Sequence, residues 1–195
     1  MLGGDPAIDF INTASDWASG DPIDRLGGIE GFADWVEIAG LVSPAEGSRL
    51  KKEIAAHAAE AAATFEAATT LRAALRRIFT TAAQGGRVDA ADLSILKNLA
   101  CRARPFRDLE QTDDGFEERW TRDAPPLETP LLELALAAEQ LLKDGPLERI
   151  RNCGGCEWMF LDLSKNASRR WCSMATCGNS AKVRKFRKRT KAAVS

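Results

Sequence analysis

The sequence is nearly without histidine: His57 is the one histidine in 195 residues. That leaves no room for the metalloprotease helix motif, which needs two. No Ser, Asp or Glu arrangement singles His57 out, so a packed or helix-edge place is expected for it. Phosphate-binding glycine loops and nucleophile elbows are also missing. No catalytic residues are assigned, and an enzyme is not expected. Long apolar runs are absent too. The nearest, "LLELALAAEQLL", is split by Glu133 and Glu139, short of the ~18 uninterrupted apolar residues of a membrane span. The start, "MLGGDPAIDFINTASDW", has neither the basic n-region nor the apolar h-region of a secretory signal. The chain reads as soluble and cytoplasmic, with no membrane partner.

Little net charge is present either, since the formal total is −1. That figure averages two unlike halves. Of the 27 Lys/Arg and 28 Asp/Glu, residues 151–195 hold 11 and 2, which leaves 16 and 26 for residues 1–150. Four of the five cysteines also lie in the basic part, within residues 153–177. A boundary is expected at "DGP", dividing an acidic segment, 1–145, from a basic one, 146–195.

The acidic segment reads as mainly helical with a small β-hairpin. "AIDFIN" is a candidate strand. "GGIEGFADWVEIAGLV" puts Phe32, Trp35, Val36 and Ala39 on one helical face, with Gly40 just past the end. "SPAE" at 43–46 is a capping-box pattern with Pro44 at the first helical position. From Leu50 an apolar stripe runs through Ile54, Ala58, Ala61, Phe65, Ala68, Leu71, Leu75 and Ile78. It predicts one long helix, or two with a break near the threonines at 69–70. Asp89 caps a helix over 89–103 that carries Leu93, Leu96 and Leu99 inward, with Cys101 as a buried free thiol. "PFRDLEQTDDGFEERWTRD" suggests a hairpin turning at Asp114-Gly115, and a further helix follows at about 130–143. Asp5, Asp9 and Asp16 could line a small pocket, but Asp in a turn-rich segment more often caps or turns.

In the basic segment, Cys153 and Cys156 form one pair and Cys172 and Cys177 a second, fifteen residues on. Two close pairs separated by a hairpin's length suit four-thiolate structural Zn2+. Four thiolates close the coordination sphere, which argues against catalytic zinc. Two disulfides are the alternative, disfavoured in a reducing compartment. "EWMFLD" can run out as a strand and "RRWC" return, with a helix starting near Cys177 to complete a treble-clef-like layout. The ligand would then sit at a helix N-terminus, where the dipole favours thiolate. A 45-residue piece this poor in apolar residues needs such a staple.

Seven of the ten residues from 182 to 191 are Lys or Arg, and no acid follows Asp162. On a helix, Arg184, Lys185, Lys188 and Lys191 share one face, with Lys182, Arg187 and Arg189 flanking. Val183, Phe186 and Thr190 on the other could pack on Trp158 or Trp171. Such one-signed charge suits a polyanion, and nucleic-acid phosphate is the usual one. Arg169 and Arg170, on the returning strand, are further phosphate contacts. Trp171 is expected in the finger core, and Asn179 as a helix cap. DNA is the first-choice partner and RNA the second. The competing reading is a protein-interaction module whose basic helix docks on an acidic partner or on the chain's own first segment.

The stretch "RIRNCGGCEWMFLDLSKNASRRWCSMATCGNSAKVRKFRKR" resembles the CGNR zinc finger of bacterial proteins, including its "FxDxS" and "RRWCSM" elements. The upstream part, with "AIDFINT", "FADWVEIAGL" and "PLLELALAAEQLLKDGPLERIRNC", resembles the ABATE domain that precedes that finger. The resemblance implies a zinc-binding, stress-related transcription regulator whose finger binds nucleic acid, with Cys153, Cys156, Cys172 and Cys177 as ligands. The first segment would then be a regulatory or dimerising module, which makes a homodimer compatible. One position departs: Ser180 stands where the family pattern has Arg.

Overall fold

The computed structural model describes residues 2–113 and 115–192, the side chains at 185, 186 and 188–192 excepted. Asp5 opens the first helix, α1 (Pro6–Ile11), by accepting the N–H of Ala7 at 2.8 Å, with Pro6 in the first turn. The stretch expected as a strand is therefore helical. All five residues from Ala7 to Ile11 are buried, so no apolar periodicity marks the helix. The overlooked signal is the Asp-Pro cap itself. A short antiparallel pair follows, β1 (Ala14–Ser15) with β2 (Ile23–Asp24).

Helix α2 (Ile29–Ile38) buries Phe32, Ala33 and Val36 and stops before Gly40, whose φ of +72° suits glycine. Phe10 meets Phe32 and Trp35 at ring-centroid distances of 5.8 and 5.3 Å. Helix α3 (Pro44–Ala56) begins with the expected reciprocal cap. Ser43 N–H donates to Glu46 Oε2 at 2.7 Å, and Glu46 N–H donates to Ser43 Oγ at 3.3 Å.

The long stripe does break, but at His57 rather than at the threonines; α4 runs Ala58–Ala82 without interruption. Every residue from Ala55 to Glu60 is exposed. No apolar anchor thus holds the helix to the core for about a turn and a half, and the break falls there. Thr69 stays helical, its hydroxyl donating to the carbonyl of Glu66 at 2.9 Å. His57 lies at this helix edge, 3.6 Å from Glu53 and 4.0 Å from Glu60.

Asp89 caps α5 (Ala90–Ala103), whose Leu96, Leu99, Ala100 and Ala103 are buried. Leu93 and Cys101, expected inside, are instead exposed. The inward face is the one meeting α4 and α6, and both residues fall off it. The hairpin forms as β3 (Arg107–Thr112) and β4 (Gly115–Trp120), with Arg107 opposite Trp120; Asp114, expected in its turn, lies outside the described residues. It stands out from the helices, leaving Leu109 and Phe116 exposed. Helix α6 (Thr129–Asp144) returns through the core with Leu131, Leu132, Leu134, Ala135 and Ala138 buried.

The hydrophobic core does not end at residue 145. Ile150 and Met159, Leu161 of the antiparallel pair β5 (Ile150–Asn152) and β6 (Met159–Leu161) belong to the same buried cluster as α1, α4 and α6. Polar contacts reinforce the seam. Asn12, buried, donates from Nδ2 to the carbonyl of Met159 at 2.8 Å and accepts its N–H at 2.9 Å. One residue pair away, the N–H of Leu161 donates to the carbonyl of Gly3 at 2.7 Å. The first dozen residues therefore satisfy the outer edge of β6 as a neighbouring strand would.

Candidate metal centre

Cys153 follows β5 directly, and its N–H donates to the carbonyl of Trp158 at 2.8 Å, extending the β5–β6 pairing around the first cysteine turn. The turn is tight. A side chain at Gly155 would bring a Cβ within 3.0 Å of Cys177 Cβ and 3.5 Å of its sulfur, so glycine there lets the second pair close on the first.

Between the pairs the chain is held by Asp162, which is fully buried. Its carboxylate accepts from the hydroxyl and N–H of Ser164 at 2.6 and 3.0 Å and from the N–H of Arg169 at 2.8 Å. The Ser164 hydroxyl is the main cause holding this carboxyl below its usual range, and the backbone donors add to it. Residues 169–172 form no strand; the hairpin of the finger pairs 150–152 with 159–161 instead. The expected return of "RRWC" as a strand is thus replaced by a loop, whose hydrogen bonds go to Asp162 and, through the Arg170 carbonyl, to the N–H of Gly154 at 2.9 Å.

Cys177 closes a single wide turn, Met174–Gly178, and α7 (Asn179–Ala192) starts two residues after it. The sulfurs of Cys156, Cys172 and Cys177 lie 3.7, 3.8 and 3.6 Å apart, and all four sulfurs fall within 4.8 Å of one another. Zn–S bonds of about 2.3 Å in a tetrahedron require an S···S edge of about 3.8 Å, so the four thiols fit a zinc ion. The spacings are far beyond a disulfide bond of about 2.05 Å. Among the described residues this is the one convergent group of potential metal ligands.

The electrostatics suit a cation. Burial pushes the Cys153 thiol up, but the backbone donors of Cys172, Gly155 and Cys156 outweigh it and bring the thiol down to about 6. Burial is the first cause pushing Cys156 up to about 11, and it raises Cys172 as well. A divalent ion removes that mutual penalty, because the thiolates then face positive charge rather than each other. Trp171 lies half-buried against the cluster with Phe160 and Trp158, as expected for finger core.

The basic residues are distributed unevenly. Arg169 is exposed, lies over the Phe160 ring at 4.8 Å and donates to the carbonyl of Cys172 at 2.7 Å. Arg170 is exposed, 5.5 Å over Trp171. On α7, Lys182, Arg184 and Arg187 are exposed. The side chains of Lys185, Lys188, Arg189 and Lys191 lie outside the described residues, as do those of Phe186 and Thr190. Val183, expected to pack on the hairpin, is 48% exposed. The main contact of α7 is the turn that precedes it. Asn179 donates to the carbonyl of Ala175 at 3.2 Å, bonding back into the wide turn rather than capping the N–H groups of α7.

Sequence reasoning passed over Asn12 and underused Asp162. The second had a signal in the "FxDxS" element; the first had none, because a buried amide looks like any turn residue until its distant partner is known.

A four-cysteine finger seated on a helical domain, with a basic helix leaving it, defines the class as a zinc-finger protein. Residues 4–145 match the ABATE family, whose description reads "Putative stress-induced transcription regulator", and residues 149–190 match the CGNR zinc finger. The chain belongs to the ABATE family and carries a CGNR finger. No curated protein matches it. Among the described residues no helix is long and apolar enough to cross a membrane.

Proposed function

We propose that this protein is a transcription regulator whose zinc-stabilised finger, residues 146–195, binds DNA through α7, under the control of residues 1–145. The observation that carries the reading is α7 itself. It leaves the cysteine cluster with its main contact behind it and shows Lys182, Arg184 and Arg187 to solvent. An isolated 14-residue helix is marginal in water, and its seven Lys/Arg between 182 and 191 repel one another unless a polyanion lies against them. Cys153, Cys156, Cys172 and Cys177 hold Zn2+ as a structural staple; the ion supplies folding energy and positions α7. Arg170 and the basic residues of α7 contact phosphate, while Arg169 mainly positions the second cysteine pair. Ser180, exposed in the first turn of α7, offers no guanidinium, so affinity falls to the residues one and two turns on, Arg184 and Arg187.

The test is fluorescence anisotropy of labelled duplex DNA with zinc-loaded protein at several salt concentrations, beside a chain ending at Ser180. Neutralising about 5–7 phosphates gives a slope of log K against log salt of roughly −5 to −6. Binding is expected to vanish in the truncated chain and to weaken in Lys185→Ala/Lys188→Ala with zinc retained. Equal binding by full-length and truncated protein would remove α7 from the mechanism. No binding by the zinc-loaded full chain at low salt would favour docking on an acidic protein surface instead.

A further inference from the structure

A groove of about 420 Å³ opens where the helical segment meets the finger, a volume within the range of small-molecule sites. Its walls are apolar: Leu2 and Leu26, Trp35 and Ile38 of α2, and Trp158 from the finger. Leu2 and Ile38 are 42% and 77% exposed, and both indoles are only half-buried. At the rim Arg25 is exposed, its Nε at 3.3 Å from Ser15 Oγ. Among the described residues Arg25 has no carboxylate partner. The three buried polar groups beneath the groove are already used. The Thr13 hydroxyl donates to the carbonyl of Phe10 and accepts from Arg72, both at 2.7 Å. Asp9 accepts the N–H groups of Leu2 and Gly3 at 3.0 and 2.8 Å, and Asn12 is bonded to Met159.

We infer that this seam groove binds a small aromatic carboxylate, with the ring against Trp35 and Trp158 and the carboxylate on Arg25. The exposed parts of the two indoles provide aromatic surface for offset or edge contact with a ring, Trp35 being backed by Phe10 and Phe32. The guanidinium provides a forked donor suited to a carboxylate; of the two carboxylates nearby, Asp9 is offset by the backbone N–H groups it accepts and Asp24 by Arg72 and the N–H groups of Leu26 and Gly27. The groove is too small for a folded partner and too apolar for an inorganic anion. A bound molecule would touch α2 and the finger at once, since Trp158 shares its carbonyl with the N–H of Cys153. This site does not depend on the DNA-binding reading, because occupancy is measured directly.

The test is isothermal titration calorimetry of the zinc-loaded full chain with 1-naphthoate, 1-naphthalenemethanol and 1-naphthylmethylamine, which differ mainly in charge. Naphthoate is expected to bind about tenfold more tightly than the other two, as one charge-assisted hydrogen-bonded pair provides. Arg25→Gln should erase that preference and leave the alcohol unchanged. Ile38→Asp, at an exposed position that tolerates polarity, should weaken naphthoate by a similar factor. Equal binding of acid, alcohol and amine, a preference that survives Arg25→Gln, or no heat at millimolar naphthoate would each overturn the assignment. DNA anisotropy on the same preparation reports the other proposal separately.

Discussion

Replacing Asn12 with alanine should loosen the finger from a position far from every cysteine in sequence. The Asn12 amide satisfies both the N–H and the carbonyl of Met159, at 2.9 and 2.8 Å, and the two residues are 5% and 1% exposed. Truncation strands one donor and one acceptor in a closed seam. At about 1–3 kcal/mol for each buried unsatisfied group, with water reaching one of them in part, the expected loss is ~2–4 kcal/mol. Urea unfolding of the zinc-loaded protein, followed by tryptophan fluorescence, measures it. Because Met159 belongs to β6, zinc release to a chromogenic chelator should also speed up in the variant. Asn12→Asp separates the two bonds. It keeps an acceptor for the Met159 N–H but sets a carboxylate against the carbonyl, and should cost at least as much as alanine. A loss below about 0.5 kcal/mol, within the range of a surface change, together with unchanged zinc release, would refute the view that the seam is held by this amide.

Two other outcomes are expected. Cys172→Ser removes a buried thiol from a cluster whose sulfurs are set at tetrahedral spacing; metal analysis after dialysis should find stoichiometric zinc in the wild type and far less in the variant, and zinc retained at full stoichiometry would sink the proposal that Cys172 is a ligand. Asp24 faces the buried Arg72 from β2. Burial works to raise its carboxyl, but the Arg72 guanidinium and the N–H groups of Gly27 and Leu26 prevail and hold it below its usual value. Its stabilisation is therefore complete above the unfolded pKa of about 4 and is lost as pH falls through the lower folded value. Asp24→Asn should cost about 2 kcal/mol at pH 7 by removing the charge that faces a buried guanidinium, which keeps its bond to Thr13, and the gap to wild type should narrow only below about pH 4. A gap that stayed constant down to pH 2 would show that the loss does not come from the carboxylate's charge.

Much of the chain was legible because its local chemistry is self-contained. Ser43 and Glu46 form their reciprocal cap, Asp89 caps α5, and the four cysteines converge at their expected spacing, since each depends on residues close in sequence or on a single metal geometry. The failures share a different cause. Helix α1 reads as a strand in the sequence because burial on all sides erases the periodicity that distinguishes the two. The break at His57 lies where core contact lapses, which is a property of neighbours rather than of the residues at 57 or at 69–70. Residues 169–172 look like a strand, but β6 already has β5 on one edge and the Gly3–Asn12 segment on the other, leaving them no partner. Cys101 is apolar enough to bury, yet falls on the side of α5 that meets no other helix.

The borrowed edge of β6 has a consequence for how this finger can be handled. A fragment cut at residue 146 would keep all four cysteines and α7, but it would lose the Gly3 carbonyl and the Asn12 amide that now occupy the strand's outer side. It would also expose Met159 and Leu161, buried at 1% and 6% in the whole chain. An open strand edge flanked by fresh apolar surface invites pairing with another copy. The finger is better regarded as grafted than appended: metal alone should not make the excised piece behave as a well-mannered monomer, and transplanting it onto another protein would require carrying the first dozen residues along.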